Sequence, residues 1–92
     1  MNNCLHAEFT GRVQGVGFRA TCASLARRAG LSGWVRNCPD GSVELEIRGE
    51  RSKIEAFLTE LRGTYAGSGI RDEQVTWKTA ETKSGGFEIR GW

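Results

Sequence analysis

The nine residues Gly11-Arg-Val-Gln-Gly-Val-Gly-Phe-Arg19 place spaced glycines and two arginines where one periodic pattern gives way to another. Before and into this stretch, over residues 5–13, Leu5, Ala7, Phe9 and Val13 fall on one side. His6, Glu8, Thr10 and Arg12 fall on the other, which is the period of a strand with one buried face. After it, Phe18, Cys22, Leu25, Ala26 and Ala29 recur at helical spacing, and Gly30 stands where a C-terminal cap belongs. A turn between strand and helix offers main-chain N–H groups together with the unpaired donors of the first helical turn, a concave site for an anion. Gly15 and Gly17 let the backbone approach an oxyanion with no side chain between them. Arg19 adds a planar fork that matches two phosphate oxygens. The chemistry is then the binding of a phosphate-sized anion by Gln14, Gly15, Val16, Gly17, Phe18 and Arg19. Glycines also sit in strand–helix turns for purely steric reasons, so the loop taken alone leaves both readings open.

Other spacings suggest chemistry less well. Gly15-Val-Gly17-Phe-Arg-Ala20 fits a dinucleotide fingerprint, but the acid required about 20 residues on would be Asp40, in a turn, and 92 residues cannot supply a doubly wound sheet. Cys22 and Arg28 have the Cys-x5-Arg spacing of thiol phosphatases. The residues between them are helix formers, however, and put Arg28 roughly 240° around the helix from Cys22, so core packing explains the thiol better. Cys38 has no histidine partner in view, because His6 is the single histidine and its parity puts it on the outer face of the first strand.

The elements that would hold the loop follow from the rest of the chain. Trp34-Val-Arg-Asn37 reads as a second strand, and Pro39-Asp40-Gly41 as a turn. Val43, Leu45 and Ile47 alternate with Glu44, Glu46 and Arg48 in a third strand. Ser52 and Glu55 form a capping-box pattern ahead of Ile54, Phe57, Leu58 and Leu61, so a second helix runs to about Arg62 and stops at Gly63. Residues 63–71 read as a glycine-containing loop, Val75, Trp77 and Thr79 as a fourth strand, and Phe87 and Ile89 as a short last one. The order βαββαβ with one-sided alternation implies an α+β ferredoxin-like sandwich: an antiparallel sheet, two helices on one face and a short extra C-terminal strand.

Bulk properties fit one domain over residues 1–92, with 38% hydrophobic and 26% charged residues and a net charge of +2. That charge is too small to call for nucleic acid or an anionic membrane. No apolar run approaches the roughly 20 residues of a membrane span, and the N-terminus lacks the pattern of a signal peptide. Three cysteines without metal-ligand spacing suit a reducing cytoplasm, and a monomer is the default. The fold also hosts RNA-binding modules, but Glu44 and Glu46 stand on the outer face of the third strand where stacking aromatics would be needed.

The loop Gly11–Arg19, with Gly33-Trp-Val-Arg-Asn37 and Asp40-Gly41-Ser-Val43 at their spacing, resembles the acylphosphatases, in particular the small bacterial ones. The likeness is close over residues 5–62 and looser through Phe87-Glu-Ile-Arg90. It implies the ferredoxin-like fold, hydrolysis of a small-molecule acyl phosphate, Arg19 as the phosphate-binding arginine and Asn37 as the residue that orients water. The sequence departs from the family in Gly63-Thr-Tyr-Ala-Gly-Ser-Gly69, which replaces a short Gly-Pro link, and in Cys38.

The reaction needs few groups. Its leaving group is a carboxylate, with a pKa of about 4–5 by analogy with side-chain carboxyls, and departs without a general acid. Phosphoryl transfer then calls mainly for positioning and charge stabilisation. The expectation is water attack with no metal and no cofactor, and with inorganic phosphate or sulfate as ligands of the same cradle.

Overall fold

The computed structural model describes residues 2–80 and 85–91; Met1, from the N-terminal stretch considered above, lies outside them. The chain runs β1 (Asn2–Gly11), α1 (Phe18–Arg28), β2 (Ser32–Asn37), β3 (Val43–Gly49), α2 (Arg51–Arg62), a 3-10 turn (Ala66–Gly69), β4 (Ile70–Ala80) and β5 (Phe87–Arg90). The sheet order is β4-β1-β3-β2-β5, the split βαβ arrangement of the ferredoxin-like fold. Pairing is antiparallel within β4-β1-β3-β2, whereas the short fifth strand adds to β2 in parallel, with Val35 opposite Ile89.

Register turns the alternation of the sequence into a core. Leu5 lies opposite Ile47, Ala7 opposite Leu45 and Phe9 opposite Val43, and all six are fully buried. Val35 continues that row in β2. Phe18, Cys22, Leu25 and Ala26 of α1 and Ile54, Phe57, Leu58 and Leu61 of α2 close over the same side. Their spacing makes one apolar stripe per helix, the geometry that a one-sided sheet requires. Cys22 is wholly enclosed, and burial pushes its thiol up to about 12.

Three local details differ from the expectation. Val13 is buried, but β1 ends at Gly11, so Val13 reaches the core from the loop rather than from the strand. The second helix begins at Arg51 with Glu50 at its N-cap, and no side chain caps it. Ser52 is therefore already helical, and Glu55 pairs instead with Arg51 one turn earlier. In 63–71, Thr64 Oγ1 donates to Leu61 O at 2.7 Å and accepts from Gly67 N at 3.0 Å, which folds what reads as a loop into the 3-10 turn.

The opposite face of the sheet is a layer of ion pairs. His6 Nε2 lies 2.6 Å from one oxygen of Glu44, and Arg36 Nε donates to the other at 2.6 Å. The hydrogen bond from His6 is the main reason the Glu44 carboxyl sits below its ordinary 4.5, with Arg36 assisting and partial burial opposing. A depressed carboxyl stabilises the fold fully above pH 4.5, and that contribution is lost as pH falls through the lower folded value. Melting temperatures of the wild-type and Glu44→Gln proteins are therefore expected to differ near neutrality and to converge in acid. A gap unchanged between neutral and strongly acid pH would contradict this.

Candidate active site

The loop between β1 and α1 is anchored at both ends in the core. Val13 and Phe18 are buried, and the Phe18 ring packs against Phe9 with centroids 5.3 Å apart. Between these anchors Gly15 and Gly17 adopt φ of +77° and +78°, the left-handed region that side chains disfavour. Nothing lies within 4 Å of where a Cβ would stand at either position, so these glycines face open space and serve backbone conformation rather than packing. Gly17 caps α1 without a side-chain hydrogen bond, and no acidic residue occupies the first turn. The positive end of the helix is left unblocked.

Asn37 comes from the opposite direction. Within β2, Val35 points into the core, so Asn37, two residues on, points to the same side, at the end of the strand and beneath α1. It is 9% exposed. A pocket of about 210 Å³ is lined by Val13, Gly15, Gly17, Phe18, Arg19, Ala20, Asn37 and Ile89. Arg19 and Asn37 thus meet in one cavity with part of the glycine loop. Arg19 is half-buried and donates from Nη1 to Arg90 O at 3.3 Å; no carboxylate of the described residues pairs with it. A carbonyl partner orients the guanidinium and leaves its charge uncompensated.

Two of the candidate loop residues turn away from the pocket. Gln14 donates from Nε2 to Cys38 O and to Ser42 O, both at 2.8 Å, tying the loop to the β2–β3 turn just after Asn37. That turn is itself held by Asp40, whose Oδ1 accepts from Ser42 N at 3.0 Å and from Ser42 Oγ at 2.6 Å. Those bonds keep the Asp40 carboxyl below its ordinary range. Val16 lies on the far side of the loop, lining a second cavity with Arg12, Tyr65 and Ser68. Ile89 and Ala20 complete the wall of the pocket, a place that the sequence alone does not assign to them. Ala20 follows from its place in the first turn of α1, whereas Ile89 carries no signal, since nothing in a four-residue strand names its neighbour.

The rival groups fall elsewhere. Cys22 is sealed in the core with a strongly suppressed thiolate, which leaves no nucleophile for a thiol mechanism. Cys38 is a buried residue of the β2–β3 turn. His6 is engaged with Glu44 on the open face, on the other side of the sheet. That face carries Glu44, Glu46 and Arg48 in paired form, and Arg90 covers the ring of Trp34 at 4.6 Å, so among the described residues the Trp34 ring is already covered. Among the described residues no group of three His, Cys, Asp or Glu could hold a metal, and no helix is long and apolar enough to cross a membrane.

Known proteins resemble this chain in sequence and in fold. The acylphosphatase family model matches residues 5–89. An acylphosphatase from Anaeromyxobacter sp. (strain Fw109-5) is 42% identical over 85 residues, covering 92% of this chain and 91% of the relative. One from Anaeromyxobacter dehalogenans (strain 2CP-C) is 42% identical over 81 residues, covering 88% and 87%. The crystal structure of acylphosphatase from Bacillus subtilis superposes with a TM-score of 0.87 at 31% identity, covering 96% of this chain and 98% of that one. The match includes both the glycine loop and the strand that bears Asn37, and it runs through Ile89, the wall that the sequence alone did not reveal. The chain belongs to the acylphosphatase family, with the acylphosphatase function this entails.

Proposed function

We propose that this chain hydrolyses the carboxyl–phosphate bond of acyl phosphates by direct attack of water, with Arg19 holding the phosphate and Asn37 holding the water. The observation that carries this reading is that Arg19 and Asn37 line one cavity with Gly15, Gly17 and Phe18. The phosphoryl oxygens lie against the loop's N–H groups and the helix terminus, and the Arg19 fork spans two of them. The Asn37 side-chain oxygen accepts a hydrogen bond from water and aims its lone pair at phosphorus. A new P–O bond forms from the water oxygen while the bond to the carboxylate oxygen breaks and takes its electron pair with it. The water proton passes to solvent or a phosphate oxygen, because an amide is no base. Positioning and fixed charge supply the catalysis, in keeping with a carboxylate leaving group.

The reading extends to a metal-free reaction, since among the described residues the cavity wall carries no carboxylate, imidazole or thiol. It takes residues 1–92 as one domain acting as a cytoplasmic monomer, to which three free thiols are suited. Val75 and Ile89, two exposed large apolar side chains, sit on opposite edge strands and form no shared patch.

Hydrolysis of benzoyl phosphate is expected to be unaffected by a chelator and to be inhibited competitively by inorganic phosphate or sulfate. Loss of activity in chelator, restored by a divalent ion, would refute the metal-free mechanism. Arg19→Lys keeps the charge but loses the fork, and is expected to cost about 3–4 kcal/mol, roughly a hundredfold or more in kcat/KM. Turnover near wild type would remove Arg19 from its role. Asn37→Ala should lower kcat sharply while the inhibition constant for phosphate changes by less than about threefold, because the cradle itself is intact. If kcat survives and only the melting temperature falls, Asn37 is structural and the water has another holder.

A further inference from the structure

Ala20 and Ile89 line the phosphate pocket and also a neighbouring groove of about 520 Å³ between α1 and β5, completed by Ala23, Ser24, Arg27 and Arg28. Ala20, Ala23, Ser24 and Arg27 stand at i, i+3, i+4 and i+7, a single face of the helix. The groove therefore leaves the phosphate pocket past Ala20 and Ile89 and follows α1 towards its C-terminal half. Its near part is apolar, and Ile89 there is 42% exposed, an unusual state for an aliphatic side chain at the mouth of a polar site. Its far part is cationic.

The two arginines at that end differ. Arg28 is neutralised by Glu60 at 2.6 Å. Arg27 donates from Nε and Nη2 to Phe87 O at 3.2 and 3.0 Å, and no carboxylate of the described residues pairs with it. A carbonyl fixes the guanidinium without cancelling its charge, and the donors not used on Phe87 remain available. Seven residues of helix span about 10 Å, and helical side chains lean towards the N-terminus, which shortens the reach from Arg27 to the phosphate end.

We propose that this groove receives the acyl part of the substrate, and that Arg27 selects acyl phosphates bearing a second anionic group at the far end of a short chain. The assignment rests on the reading above, in which the phosphate lies at Arg19. The methylene groups of such a chain cover Ala20, Ala23 and Ile89, while its distal carboxylate or phosphate accepts from Arg27, with the Ser24 hydroxyl as a further donor. Arg27 then acts on specificity and takes no part in bond breaking.

Acetyl phosphate and succinyl phosphate share the reacting bond, and only the second carries a distal carboxylate. The ratio of their kcat/KM values, succinyl over acetyl, tests the proposal in the wild-type, Arg27→Gln and Arg27→Lys proteins. Arg27→Gln is expected to lower the ratio about fivefold and Arg27→Lys by less than about twofold, with added salt lowering it in the wild type and in Arg27→Lys but not in Arg27→Gln. A ratio unchanged in folded Arg27→Gln would overturn the proposal. So would a parallel loss on both substrates with a lowered melting temperature, which is the signature of a residue that only braces β5. Wild-type protein inactive on acetyl phosphate would instead strike at the phosphate-pocket reading, which keeps the two failures apart.

Discussion

A phosphate can be held by backbone only where several N–H groups are aimed at one point, and flexible loops do not stay aimed. Here the loop is fixed from three directions. Val13 and Phe18 pin its ends into the core, Arg12 N donates to Gly69 O at 2.9 Å, and the Gln14 amide bridges two carbonyls of the β2–β3 turn. The Gln14 bridge matters most for catalysis. It joins the element that binds the phosphate to the strand that ends in Asn37, so the separation of Arg19 and Asn37 is set by packing. In the proposed mechanism, preorganisation of this kind lets Arg19 and Asn37 suffice, since no reorganisation remains to be done at the moment of reaction.

The two faces of the sheet divide their tasks accordingly. The helix side supplies the core and, at one end, the pocket. The open side is tied by the His6–Glu44–Arg36 group, by Arg48 with Glu46, and by Arg90 lying over Trp34. These pairs are half-exposed, and each contributes modestly. Together they keep a polar sheet face occupied with itself.

The sequence made the interior and the loop legible for a simple reason: period two and period 3.6 are properties of single segments. Val43, Leu45 and Ile47 announce a buried strand face whatever lies beside it, and the glycines at 15 and 17 announce positive φ. What the sequence left open depends on partners. Four residues of β5 cannot declare that they will join β2, nor that they will run parallel to it, and with them Ile89 and the Arg90 carbonyl stayed out of view. Gln14 reads in sequence only as one of the anion-binding residues, because the two carbonyls its side chain bridges lie 24 and 28 positions away. The capping-box pattern at Ser52 failed because the N-cap is Glu50, two residues earlier, where no side-chain cap is made. Asn37 was identified through family likeness, and the register then explained its direction, since it shares the inward parity of Val35.

The parallel edge strand has a consequence for how the protein ages and aggregates. β5 covers the hydrogen-bonding edge that β2 would otherwise present to other chains, while its Ile89 lines the pocket and its Arg90 carbonyl orients Arg19 across 71 positions of sequence. One fraying event therefore does two things together: it dismantles the cavity and uncovers a sticky sheet edge. Under the proposed function, an anion seated on Arg19 opposes both through mass action, since it binds only the closed form. In that reading substrate and phosphate act as conformational chaperones of the strand farthest in sequence from the loop that grips them.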